Sequence, residues 1–239
     1  MNIKLRGIFI ILFYPLAQLS FAQFDNLGIN SSWHKGHILL STNEVVDGYI
    51  QNNDKLGLIN FKESLDDTES ISFQDKSILA MEYLDAKLNK IRKFVTLNVN
   101  DEETGKQRLI LLDILIEFKH FAVVSKVFSV EPAIRQRVNS YTMETYHTKV
   151  GYEQFEYLYV VDDDGEIKIL QITSLIEKAK LKPFAKMSRD FIDRDLLKKH
   201  IGLKWNEVKN YISQNNLKLN LKSDLLQTLE FYGELENSD

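Results

Sequence analysis

The chain has 239 residues, 30 Lys and Arg against 34 Asp and Glu, 44% hydrophobic residues and no cysteine. This is a folded composition, too apolar for a disordered chain and too poor in Gly and Pro (10 and 3) for a fibrous one. The lack of cysteine excludes disulfides, Cys-based zinc sites, thiol nucleophiles and a lipid-modified N-terminal cysteine.

The N-terminus reads as a targeting signal. Lys4 and Arg6 precede an apolar run from Ile8 to Leu19, and Ser20-Phe21-Ala22 puts small residues before Gln23. That is the three-part layout of a secretory signal peptide over residues 1–22, with cleavage between Ala22 and Gln23. The run falls short of the roughly 20 residues of a comfortable bilayer span, which disfavours an uncleaved N-terminal anchor. No other stretch resembles a transmembrane helix, so no span is expected in the mature chain. An exported protein with a net negative charge is not expected to bind nucleic acid, which needs a clustered basic surface. The expected address is periplasm, cell surface or medium.

Residues 23–172 read as a β-rich domain, because apolar residues recur with a period near two. Trp33 to Leu40 and Val45 to Gln51 flank a hairpin turn at residues 41–44. Leu58 to Phe61, Ile71 to Phe73, Ile78 to Leu84 and Phe94 to Val99 follow. Leu109 to Phe118 has the pattern of a central strand and pairs with Phe121 to Val130 across Lys119-His120. Phe155 to Val161 and Glu166 to Ile172 flank the hairpin signal Asp164-Gly165. Nine or ten short strands predict an antiparallel sandwich, roll or small barrel.

From Thr173 to Asp239 the period moves towards 3.6, so the fold class is α+β with a C-terminal cluster of short amphipathic helices. These would pack on the β domain or form a small subdomain. Ser174-Leu175-Ile176-Glu177 is a capping-box pattern for a short helix ending before Pro183. A second helix is expected from Arg189 to Ile201, with Phe191 in its stripe and Gly202 ending it. A third carries Trp205, Val208, Tyr211 and Ile212 and closes at Asn215-Asn216. A fourth starts at a Ser223 cap and presents Leu225, Leu226, Leu229 and Tyr232. Charge divides at the same boundary: 16 basic and 24 acidic residues in 23–172, 12 and 10 in 173–239.

Chemical motifs are sparse. There is no Gly-x-Ser-x-Gly, His-Glu-x-x-His or Gly-rich nucleotide loop. Ser32 and Lys35 match a Ser-x-x-Lys spacing, but they lead into a strand where that pair cannot meet on a helix turn. His34 and His37 are metal-ligand types, yet three positions apart on a strand they face opposite ways. Asp162-Asp163-Asp164-Gly165-Glu166 is acidic enough for calcium, but the strand resumes too soon for a calcium loop, and a hairpin turn is expected. Asp113 and Glu117 are the nearest carboxylate pair for acid–base chemistry, about 13 Å apart along a strand. The basic run Lys178 to Arg189 suits a solvated helix face. No catalytic, cofactor or metal residues are assigned, and no cofactor is expected.

The segment Glu131 to Tyr152 is long and weakly periodic, and it holds Arg135, Arg137, Tyr141, Tyr146 and His147. Long ordered excursions on β scaffolds carry binding function, and Tyr and Arg anchor interfaces. These residues form the candidate partner-binding loop.

Trp33-His34-Lys35-Gly36-His37-Ile38-Leu39-Leu40, Val46-Asp47-Gly48-Tyr49-Ile50, Arg92-Lys93-Phe94, and the tail segments Val208 to Asn216 and Leu225 to Leu235 resemble a group of uncharacterised secreted proteins of Bacteroidetes-type Gram-negative bacteria. The resemblance implies export and architecture. That group has no established activity, so no catalytic residue is carried over. The expected function is a non-enzymatic binding or structural module of the cell envelope, with a protein or glycan partner. The alternative is a secreted hydrolase whose acid/base pair has no sequence signature.

Overall fold

A computed structural model describes residues 33–53, 58–100, 106–130, 135–138, 145–148, 153–174 and 191–238. The expected N-terminal signal, the expected helix before Pro183 and the basic run Lys178 to Arg189 lie outside the described residues. The chain is mostly antiparallel sheet, 52% strand, with eleven strands in a main sheet that does not close and helices at its C-terminal end. It divides into two compact units, residues 1–126 with 159–168, and residues 127–158 with 169–239.

The first unit is built on β1 (His34–Leu40), β2 (Val45–Asn53), β3 (Leu58–Lys62), β4 (Ile71–Gln74), β5 (Ile78–Asp85), β6 (Lys90–Asn100) and β7 (Gln107–Glu117). The order across the sheet is β7-β6-β5-β1-β2-β3-β4. The first half of β8 (Phe121–Val130) and the end of β11 (Glu153–Asp162) complete the unit. Local chemistry sets the turns. Asn43 closes β1 to β2 with φ 67° and Asn89 closes β5 to β6 with φ 47°, left-handed positions that Asn tolerates better than most residues. Between β7 and β8, the Phe118 amide donates to the Phe121 carbonyl at 2.8 Å.

The register puts the apolar residues of this unit on one face. Ile38 stands opposite Val46 on β2 and Met81 on β5, Met81 opposite Phe94 on β6, and Ile50 opposite Phe61 on β3. With Ile59, Ile78, Tyr83 and Leu111 they form a continuous buried core. Each fully buried Ile or Met contributes about 1.5–3 kcal/mol relative to exposure, so this row of side chains dominates the unit's stability.

The second unit holds the end of β8, β9 (Arg135–Val138), β10 (Thr145–Thr148), most of β11, most of β12 (Ile167–Ser174), β13 (Phe191–Ile192), and helices α1 (Arg194–Ile201), α2 (Trp205–Gln214) and α3 (Lys222–Asn237). β9 and β10 make a separate two-stranded sheet. Leu158 and Leu170 on the strands and Leu197, Leu225 and Leu229 on the helices are fully buried.

The helical tail differs from expectation at two starts. Residues 191–192 are a strand paired with Ile172 and Gln171 of β12, and α1 begins only after Asp193, whose carboxylate accepts from the Leu196 amide at 2.9 Å. The cap, not the apolar stripe, fixes this boundary, and Phe191 is 47% exposed. Ser223 does not cap α3: Leu221 occupies the cap position, and Ser223 donates to Asp224. Gly202 (φ 61°) ends α1 and Asn216 (φ 54°) follows α2, as the sequence predicts.

Candidate functional site

The loop singled out between Glu131 and Tyr152 contains a hairpin. β9 and β10 pair antiparallel, with Arg137 opposite Tyr146, Gln136 opposite His147 and Arg135 opposite Thr148. Four of the five candidate residues, Arg135, Arg137, Tyr146 and His147, therefore fall within two register positions of one another. His147 is one position out of phase with Tyr146, and Tyr141 lies outside the described residues. Periodicity could not reveal the pairing because the strands are only four residues long.

The first unit carries two polar clusters that the sequence did not single out. On one face, a charged row crosses four strands: Asp47 of β2 opposite His37 of β1, His37 opposite Glu82 of β5, and Glu82 opposite Lys93 of β6. His37 Nδ1 makes a short hydrogen bond with an Asp47 carboxylate oxygen. Glu82 is 4% exposed. Burial pushes its carboxyl above the usual carboxylate range, against the opposing pull of His37 and Lys93. Being buried, this carboxyl meets its neighbours on the sheet rather than a substrate in solvent. A lone Glu inside the apolar run Ile78-Leu79-Ala80-Met81-Glu82-Tyr83 is the signal that could have found it.

The opposite face carries a stack. Tyr83 lies against His34 (centroids 4.9 Å apart) and Phe94 (5.4 Å), and the Arg92 guanidinium covers the Phe94 ring at 5.0 Å. Arg92 also donates to the Tyr83 hydroxyl at 3.2 Å and to Asp113 at 2.5 Å. This cluster combines cation–π attraction with a charge-assisted hydrogen bond, so it fixes β5, β6 and β7 in register.

Asp113 and Glu117, the nearest carboxylates for acid–base work, are held apart. Asp113 accepts from Arg92, whereas Glu117 accepts from Lys93 at 3.5 Å. Arg92 and Lys93 are successive residues of β6 and point to opposite faces. The irregularity in the pairing of β7 with β8 between Ile114 and Ile116 breaks the alternation that would have put the two acids on one face.

His34 and His37 also diverge, His34 towards Tyr83 and the Leu84 carbonyl, His37 towards Asp47. The 162–166 segment is a hairpin turn: the Asp162 carboxylate accepts from the amides of Asp164 (3.1 Å) and Glu166 (2.8 Å), and Gly165 has φ 80°. Its first carboxylate oxygen is thus spent on backbone amides. Among the described residues, no group of three or more His, Asp or Glu is placed to hold a metal ion.

In the second unit the principal polar contact is between Glu156 of β11, 7% exposed, and Lys222 at the start of α3, at 2.5 Å. Gln171 of β12 is fully buried and donates to the Leu219 carbonyl at 3.3 Å. Both contacts tie strand to helix. No described helix is long and apolar enough to cross a membrane. Comparison with protein-family models, with curated proteins and with solved structures finds no match to this chain.

Proposed function

We propose that the chain is an exported, non-enzymatic binding module of the cell envelope, engaging a protein or glycan partner through the β9–β10 hairpin. The observation that carries this reading is the hairpin register, which sets Arg137 opposite Tyr146 with Arg135 two positions away. Arg and Tyr are the residue types whose planar donors and flat rings carry binding energy at interfaces. The signal-like residues 1–22 support the address, and the predominantly antiparallel sheet supplies a scaffold for the hairpin.

The test is in-cell cross-linking of a tagged, exported chain, with mass spectrometry of the captured species and of the N-terminus. The expected result is an N-terminus at Gln23 and a reproducible envelope partner, lost when Arg135, Arg137 and Tyr146 are replaced by alanine. An uncleaved cytoplasmic chain, or capture indifferent to those replacements, overturns the reading.

A further inference from the structure

β4 is an edge strand of the main sheet. β4 ends the strand order of the first unit, and it pairs on its inner side with β3 through Leu58 to Gln74, Ile59 to Phe73, Asn60 to Ser72 and Phe61 to Ile71. Among the described residues, no strand pairs with its other side. An edge of this kind presents backbone donors and acceptors in the spacing another strand needs.

The edge is apolar on one face. The buried core row runs outward through Ile59 and Phe61 to Phe73, which packs on it, and ends at Ile71, 58% exposed. Ile71 and Phe73 lie two apart and share a face, while Ser72 and Gln74 take the other. An added strand continues the core only if its own residues alternate, apolar beside Ile71 and Phe73, polar beside Ser72 and Gln74.

Charge selects the partner. The β3–β4 connection brings exposed Glu63, Asp66, Asp67 and Glu69 to the Ile71 end of the strand, and Lys62 is turned back onto the Asp67 carbonyl. Two-fold, antiparallel pairing of β4 with β4 of a second copy would set each acidic connection beside the Gln74 end of the other strand, with exposed Lys76 facing four carboxylates, a weaker complement than a strand that carries several cations. A cationic strand meets the complementary field. We infer that β4 accepts an extended, lysine- or arginine-bearing segment of a partner protein, with alternating apolar residues, as an additional strand of the sheet.

The experiment uses the mature chain, residues 23–239, and three end-blocked ten-residue peptides: alternating Lys-Val, alternating Glu-Val, and Lys-Val N-methylated at alternate residues. Binding is read by fluorescence anisotropy at 0.15 M salt and the contact by amide exchange. The expected result is binding of the Lys-Val peptide with slowed exchange over residues 71–74, at least tenfold weaker binding of the other two peptides, and at least a fivefold loss for Ile71→Lys, an exposed position that leaves the fold intact. Equal binding of the Glu-Val or N-methylated peptide overturns the inference, as does protection confined to other segments. A concentration-dependent dimer that protects residues 71–74 without any peptide also overturns it, in favour of a second copy.

Discussion

Gly36 of β1 stands directly opposite Gly48 of β2, and each is pressed by a neighbouring strand on its other side. A Cβ on Gly36 would meet the Glu82 carbonyl oxygen and lie 2.6 Å from the Tyr83 Cβ; one on Gly48 would meet the Lys62 carbonyl and lie 2.7 Å from the Phe61 ring. The pair therefore gives the room in which Tyr83 and Phe61 enter the core, a use of strand glycine for close backbone approach. Gly36→Ala and Gly48→Ala are each expected to destabilise by about 1–3 kcal/mol, the usual range for overpacking. For a chain of this size that lowers Tm by roughly 2–4 °C per kcal/mol. Thermal denaturation of each variant checks it, and an unchanged Tm would refute the packing argument.

Glu82 makes stability depend on pH. Burial raises its carboxyl above the ordinary 4.5, so in the window between 4.5 and the raised value the folded chain holds a proton that the unfolded chain has released. Stability from this group is full below about pH 4.5 and falls as pH rises through the folded value. Glu82→Gln removes the charge at a buried position while keeping the shape. The variant is expected to match the parent near pH 4 and to exceed its denaturation midpoint at pH 8. Urea titrations at the two pH values decide it. A variant weaker at pH 8 would mean that His37 and Lys93 outweigh burial.

Lys222 and Glu156 act as a unit. Lys222→Met leaves the Glu156 carboxylate, 7% exposed, without its cation, and is expected to cost about 1–3 kcal/mol. Adding Glu156→Leu to Lys222→Met is expected to recover most of that loss, because replacing both partners with apolar groups removes the stranded charge. The comparison of single and double variants by chemical denaturation measures the coupling. Equal losses in both would argue against the pair.

Tyr232 in α3 donates to Glu236 at 2.8 Å and is 5% exposed. Burial first, then the hydrogen bond and charge of Glu236, push the phenol well above its usual range. The folded chain therefore keeps this proton above the ordinary value of 10, and its stabilisation, full below that pH, declines as pH rises further. Tyr232→Phe is expected to cost about 1 kcal/mol at pH 7 and to show a shallower alkaline loss than the parent. Denaturation midpoints at pH 7, 10 and 11 test both parts.

The strand pattern was legible because one face of the first unit's sheet is buried. Ile38 and Leu40 sit two residues apart, as do Ile59 and Phe61, and that spacing marks β1 and β3. The turn chemistry was legible for the same local reason: Asn43, Gly165, Gly202 and Asn216 all take the positive φ that their residue types favour. α1 was misread at its start because Phe191 fits both a helical stripe and a strand, and only the Asp193 cap and the pairing with β12 separate the two. The β9–β10 hairpin was missed as structure, though its segment was marked for function, since four residues per strand give too few periods to read.

The sequence by itself determined the fold class, the strands of the first unit and most of the turns, because alternation, capping and left-handed backbone are properties of neighbours along the chain. Tertiary structure alone decided the partners. Glu82 meets His37 and Lys93, Arg92 meets Asp113, and Glu156 meets Lys222 across 21 to 66 residues of chain or through register between separate strands. Register couples every residue of a strand to the next strand at once, so a single irregularity, such as that between Ile114 and Ile116, turns Glu117 away from Asp113. No local pattern in the chain records that long-range choice.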